Sequence, residues 1–253
     1  MRDLVRTATF LLVPLLLWEL LSRFGPWPRW LFPGPVAVAG SIGQLAGDGR
    51  LGAATARSLS RLAQGYAMSA SIGVPLGIAM ARSTLVQQAL RPAVLGLQAL
   101  PSICWLPLAV LWFGLSETAI LFVVVMGSLL AVAIATEDGV SGIDPVLLRA
   151  AGTLGIRGPR FVLGVLLPAA LPGILTGLKL GWSFAWRALM AGELLFVAGG
   201  LGQLLSQGRE LLDAAQVMGV MICIVAIGVA VDQVVFRFLE LRVRRRWGLV
   251  EAA

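Results

Sequence analysis

The stretch TEDGVSGIDPVLLRAAGTLGIRGPRFVLGVLLPAALP, Thr136 to Pro172, is a polar island between apolar runs long enough to cross a bilayer. Within it, Asp144 is a good N-cap and Pro145 a favoured first helical residue. Val146, Leu147, Ala150, Ala151 and Leu154 recur at i, i+1, i+4, i+5 and i+8, which predicts one apolar face on a short helix. Gly155 suits the left-handed position that closes such a helix. Gly158-Pro159 starts a second short turn, and Pro168 and Pro172 mark the return to the membrane. A soluble helix with its own start and stop, held between spans, predicts a docking element for a cytoplasmic partner. The other reading is an ordinary loop whose amphipathic helix lies on lipid.

Composition sets the class. The chain of 253 residues is 58% hydrophobic and 13% charged, with a mean hydropathy of +0.89. Soluble domains average roughly 25% charged residues, so an integral membrane protein is expected, built as a single domain over residues 1–253. The sequence has no histidine, which argues against zinc sites and His-based acid/base chemistry. Cys104 and Cys223 sit in apolar surroundings without metal or disulfide spacing and are expected to be buried, structural and inert thiols. No metal and no cofactor are expected.

A span needs about 20 mostly apolar residues, and six are predicted, near 8–24, 60–81, 91–113, 117–135, 173–197 and 214–236. Glu19 and Arg23 interrupt the end of the first, and Ala37-Val38-Ala39 lies too far downstream for a cleavage site, so it is expected to be a retained helix. Pro101 and Pro107 break the third, and backbone freed there must face protein or a watery cavity. With the N-terminus inside, Arg2, Arg6, Arg82, Arg91, Arg149, Arg157, Arg160, Arg237, Arg242, Arg244, Arg245 and Arg246 fall on the cytoplasmic side. Arg23, Arg29, Arg50, Arg57, Arg61 and Arg209 fall outside, twelve against six. The positive-inside rule then puts the island and both termini in the cytoplasm. The net charge of +7 reads as topology and anionic-lipid contact. Basic residues scattered over loops do not make a nucleic-acid surface.

The spacing Arg149-Ala150-Ala151, Gly155, Val165 and Leu167-Pro168 resembles the EAA loop of ABC importer permeases. The family glutamate is Arg149 here, a departure at a surface contact rather than at a catalyst. Leu31-Phe32-Pro33-Gly34-Pro35, Ser58-Leu59-Ser60-Arg61 with Gly65-Tyr66, Leu100-Pro101, Trp105-Leu106-Pro107-Leu108, Leu111-Trp112-Phe113-Gly114 and Leu167 through Leu178 are similar to the aliphatic-sulfonate, nitrate and taurine branch. The resemblance implies an all-α polytopic protein of the type I importer kind, in a bacterial inner membrane, with the loop at about 136–172 carrying a coupling helix at about 145–154. It implies two permease copies as a homodimer, two cytoplasmic ATP-binding subunits, and a periplasmic or lipid-anchored solute-binding protein. Asp144, Pro145, Leu148, Arg149, Ala150, Ala151, Thr153, Leu154 and Gly155 would form the coupling surface. The chain itself would not be an enzyme; it has no G-x-x-x-x-G-K-[ST] phosphate loop.

Two spans carry ladders of small residues every four positions: Gly65, Ser69, Gly73, Gly77 and Ala81, and Gly173, Gly177, Gly181 and Ala185. Such faces allow close backbone approach, either within one subunit or between the two copies. On the fifth span, Thr176, Lys179, Met190, Ser183, Arg187 and Glu193 share a sector of roughly 120°. With Pro101, Trp105 and Pro107 of the broken span, Lys179, Ser183, Arg187 and Glu193 are the expected translocation-pathway residues. Charged residues at such depth face a bundle interior or a cavity. Lys179 can instead snorkel to the interface, and Arg187 can instead form an ion pair with Glu193 or Asp232. Glu117 after Ser116 fits the start of the fourth span, and Glu240 and Arg244 are i, i+4 partners.

No selectivity-filter pattern or acidic ring suggests a channel. A secondary transporter shares the broken helices and buried charges, but needs no coupling loop. The branch resemblance favours a small oxyanion such as a sulfonate, taurine or nitrate; similar permeases serve thiamine-precursor pyrimidines, riboflavin or bicarbonate.

Overall fold

The computed structural model describes residues 2–195 and 199–246, with side chains over 12–195 and 199–243, and every regular element among them is helical. The side chains of Arg2, Arg6 and Arg244 to Arg246, including the expected Glu240–Arg244 pair, lie outside that set. The chain divides into two compact units: one runs up to Ser58 and again over Glu193–Ala226, the other covers Leu59–Gly192 and the residues from Ile227.

The second unit is organised around α6, Glu117–Ser141. Its sequence, from Ile120 through Ala135, is apolar on every side, the mark of a helix buried all round. Ala119, Ile120, Val123, Val124, Ala131, Val132 and Ala133 are accordingly sealed from solvent. Ser116 caps its start, accepting from the Ala119 amide at 3.3 Å, and Glu117 in the first turn pairs with Arg61 at 2.6 Å.

Both small-residue ladders close on α6. From α3, Arg50–Arg82, a Cβ at Gly73 would stand 2.9 Å from the Leu129 carbonyl, and one at Gly77 would collide with the Ala133 carbonyl. From α9, Leu167–Leu195, a Cβ at Gly173 would lie 2.6 Å from the Gly139 Cα, and one at Gly177 2.7 Å from the Ala135 Cβ. The ladders are therefore contacts within one subunit. At the centre Ser128 Oγ donates to Ser69 Oγ at 2.7 Å, and Tyr66 OH on α3 donates to the Leu178 carbonyl on α9 at 2.7 Å.

α4, Thr84–Gln98, and α5, Leu106–Phe113, form the broken span. Pro101 leads into a single 3-10 turn, Ser102–Trp105, and the two halves meet at 98°. Missing proline N–H groups and the fixed ring explain why no helix continues through. This pair passes the length and hydropathy test for a membrane span only when taken together; Glu117–Ser141, Gly158–Leu195 and Ala214–Val243 pass it singly. α3, which carries Gln64, Tyr66 and Pro75 in its apolar stretch, does not meet it. The first expected span lies within α1, Arg2–Phe24.

The polar island is shorter than its composition suggests. Its first six residues, 136–141, continue α6, and its last, 167–172, already belong to α9. Thr136 and Glu137 are fully buried. Glu137 Oε1 accepts from Gln87 Nε2 at 2.7 Å and pairs with Arg91 at 2.8 Å, both from α4, and Arg91 reaches Asp138 at 3.4 Å. This cluster ties the broken span to the C-terminal end of α6. What lies between the long helices is α7, Pro145–Thr153, a short turn, α8, over Gly158–Phe161, and a π-helical turn at Val162–Leu166.

The first unit contains α2, Pro35–Gly47, α10, Leu201–Glu210, and the start of α11, Ala214–Val231. Glu193, fully buried, accepts from Ser58 Oγ at 2.7 Å and from the Gly202 amide at 3.1 Å, while Ser58 Oγ accepts from the Leu201 amide at 2.9 Å. A carboxylate and a hydroxyl thus satisfy the first amides of α10, whose own N-cap, Gly200, has no side chain to do so.

Two outcomes follow from this packing. Gly173→Ala should lower stability by about 1–3 kcal/mol, since the obstacle is backbone and cannot rotate away. Gly52→Ala, with nothing within 4 Å, should be neutral or stabilising by up to about 1 kcal/mol; thermal unfolding in detergent compares them. Arg91→Met should cost about 2 kcal/mol, less than the 3–5 of a fully buried pair because Arg91 is 37% exposed. Adding Glu137→Met should recover most of that loss in a double-mutant cycle.

Candidate functional site

α7 is built as a self-contained helix. Asp144 Oδ1 accepts from the Val146 amide at 2.8 Å, and Pro145 occupies the first turn where no N–H is needed. At its other end the Ile156 amide reaches the Ala151 carbonyl and the Gly155 amide the Gly152 carbonyl, both at 3.1 Å. This pair of bonds is the Schellman motif, and it requires the left-handed backbone that Gly155 adopts at φ 69°. Ala151 is buried, and Leu148 packs on a cluster of Val140, Ile143, Leu166, Ala170 and Ile174. The rest of the predicted apolar face points away: Val146 is 60% exposed, Leu147 45% and Leu154 76%, with Arg149 and Ala150 also exposed. Thr153 turns its hydroxyl back to the Ala150 carbonyl at 2.8 Å. Arg82, at the end of α3, stacks on Phe161 just beyond α7, 4.9 Å from the ring centroid.

A second feature lies at the break between α4 and α5. An open cavity of about 260 Å³ is lined by residues 97–102, by Met126, Gly127 and Leu130 of α6, and by Phe184 and Arg187 of α9. Gly127 lets the three elements meet: a Cβ there would stand 2.8 Å from the Ala188 Cβ and 3.2 Å from the Ser102 Cβ. Arg187 Nε donates to the Ser183 carbonyl at 3.1 Å, and its guanidinium carbon sits 4.6 Å from the Phe184 ring centroid. Among the described residues Arg187 meets no carboxylate, so neither expected ion pair forms. Arg187 is itself exposed, and its terminal amino groups have no hydrogen-bond partner among the described residues.

The structure brings Pro101 and Arg187 together here and sends the other expected pathway residues elsewhere. Trp105 packs edge-on against Phe122 at 6.3 Å, and Pro107 sits in the first turn of α5. Ser183 contributes only its carbonyl. Lys179 Nζ pairs with Asp232 at 3.1 Å, where the last helical stretch passes through a π-helical turn at Asp232–Phe236. Lys179 also lines a separate cavity of about 290 Å³, with Thr176, Phe236 and Glu240. Glu193 is engaged with Ser58 and α10, as described above. Among the described residues no cluster of His, Cys, Asp or Glu could hold a metal ion.

Gln98 was not legible as a site residue in the sequence. It lines the cavity, and its buried Oε1 has no hydrogen-bond partner among the described residues. The available signal was its position, a lone amide in an apolar span directly before Leu100-Pro101.

Comparisons with known proteins agree with this architecture. The chain is 33% identical over 221 residues to the taurine transport system permease protein TauC of Escherichia coli, covering 87% of this chain and 77% of that one. It is 38% identical over 147 residues to the nitrate import permease protein NrtB of Leptolyngbya laminosa, covering 58% and 52%. A solved chain of the MetNI methionine ABC transporter, in an inward-facing conformation, superposes with a TM-score of 0.64 at 20% identity, over 75% of this chain and 92% of that one; it shares the fold. Residues 73–248 match the family described as binding-protein-dependent transport system inner membrane component. The chain belongs to that family, as an importer permease.

Proposed function

We propose that this permease forms the membrane pathway of an ATP-driven importer for a small oxyanion of the sulfonate, taurine or nitrate kind. In this reading the whole chain acts as one domain crossing the inner membrane six times, with both termini and α7 in the cytoplasm and its basic loops against anionic lipid. Two copies pair, two ATP-binding subunits dock beneath, and a solute-binding protein delivers cargo from outside. The observation that carries the reading is α7: a helix capped at both ends that leaves Val146, Leu147 and Leu154 uncovered. A helix on a lipid surface would also bury such a face, but would not need a rigid seat on the protein behind it.

In this reading the coupling surface lies on α7. Of the residues expected there, Arg149, Ala150 and Leu154 face the partner, with Val146 and Leu147 beside them, while Leu148 and Ala151 instead anchor the helix to its own subunit. Motion imposed on α7 passes to α6, three residues away through Gly142, Ile143 and Asp144. α6 carries Met126, Gly127 and Leu130 in the cavity wall, and α3 and α9 are locked on it by the glycine contacts. The three helices then move as one rod. Moving a two-state pathway from 1:99 to 99:1 requires about 5.5 kcal/mol of differential binding, which ATP in the partner must supply. Arg187 offers the cationic group for an anion in transit; taurine and nitrate are cargoes of the relatives named above.

Replacing Leu147 and Leu154 together by glutamate should leave the fold intact, because both side chains are exposed, yet weaken ATPase capture by tenfold or more, about 1.4 kcal/mol. Co-purification from membranes with the ATP-binding subunit measures this. Undiminished capture and ATP-driven uptake would remove α7 as the docking element.

A further inference from the structure

We propose that the surface of the ATP-binding partner that receives α7 is an apolar groove with an acidic rim, and that Arg149 selects that partner by charge. The inference rests on the docking reading above and deepens it by fixing the chemistry of the partner's face.

Three observations carry it. The first is the order of residues around α7. Taken at about 100° per residue, Val146, Ala150, Leu154 and Leu147 follow one another across roughly 100° of the helix surface, and all four are exposed. Leu148 packs on the cluster around Val140 and Leu166, and Ala151 is buried. Arg149 falls roughly 60° beyond Val146, at one edge of the apolar stripe. At the other edge the surface turns into the protein at Ala151. A groove that covers the stripe therefore has its free rim beside Arg149.

The second is charge. Arg149 is exposed and has no ion pair or side-chain hydrogen bond among the described residues. Between α6 and α9, over residues 142–166, the charged side chains are Arg149, Arg157 and Arg160 against the single carboxylate of Asp144. All three arginines are exposed, while Asp144 spends an oxygen on the Val146 amide. The connector thus presents a cationic surface, whose complement is anionic; like charge across the contact would repel. A guanidinium offers a planar fork that a carboxylate can meet with two hydrogen bonds.

The third is what separates α7 from a helix lying on a membrane. Such a helix carries bulky aromatic or aliphatic side chains and turns a basic polar face to water. α7 has no aromatic residue and one basic residue, at one edge only. The side opposite its stripe is seated on protein, not turned to water. These features favour a protein groove over anionic lipid.

The test is the dissociation constant for the ATP-binding subunit on the full chain in nanodiscs of neutral phosphatidylcholine. It is measured in about 0.1 M and about 1 M KCl, between which the Debye length falls from roughly 10 to 3 Å. Wild-type capture should weaken severalfold as salt rises. Arg149→Glu should weaken it roughly tenfold at the lower salt and Arg149→Lys less than about threefold. Both should keep the wild-type thermal midpoint, because Arg149 pairs with nothing in its own subunit. Reversing Arg149, Arg157 and Arg160 together should invert the salt dependence, so that capture tightens as salt rises. Salt-independent capture, or Arg149→Glu binding as tightly as wild type, would overturn the proposal. So would an effect of Arg149→Glu confined to discs containing anionic phosphatidylglycerol, which would assign the arginine to lipid. The Leu147→Glu/Leu154→Glu protein reports on the docking reading separately: capture lost there, yet indifferent to salt and to Arg149→Glu, keeps α7 as the docking helix and refutes the acidic rim alone.

Discussion

The contact on which the second unit depends is the approach of two glycine-lined helices to α6. Lipid provides no hydrophobic drive for helices to associate, so close van der Waals packing and interhelical hydrogen bonds must do so. At Gly73, Gly77, Gly173 and Gly177 the neighbouring backbone or β-carbon of α6 occupies the place a side chain would take. The Ser69–Ser128 and Tyr66–Leu178 hydrogen bonds sit within the same seam. Such a seam has little freedom to slide, because any shift of register sets a larger side chain against backbone.

The stiffness of α6 gives the rest of the unit its geometry. One flank of the helix forms part of the cavity wall, and its C-terminal end leads through Gly142 to the capped helix α7. Glu137, near that end, grips Gln87 and Arg91 of α4, so the broken span is held at the same place. α6 thus has α7, the break and the cavity attached along one rod. The 98° bend at Pro101 is what opens space beside it; a straight helix would have filled that volume with its own side chains.

Local features were legible in the sequence because local chemistry determines them. Asp144-Pro145 and Gly155 specify where α7 starts and stops, and Pro101 and Pro107 specify that the third span cannot be straight. The four-residue spacing of glycines identified two packing faces. What each face meets was not legible, since periodicity reports a direction and not a neighbour. Ion-pair partners were hidden for the same reason: Lys179 meets Asp232, Arg91 meets Glu137, and Arg187 meets its own helix, choices set by tertiary register. The island looked longer than it is because a carboxylate such as Glu137 does not read as buried, whereas Gln87 and Arg91 of α4 supply its partners.

The claim that α6 and its two neighbours act as a single rod is tested most directly by joining two of them. Val132 on α6 and Gly181 on α9 are in contact, so cysteines at both positions, with Cys104 and Cys223 replaced by serine, can be bridged across the seam. ATP-driven uptake is then measured in the oxidised and the reduced complex. If the helices move together, the bridged protein transports as well as the reduced one. Uptake abolished by the bridge and restored by reductant would mean that α9 slides on α6 during the cycle, and would contradict the account.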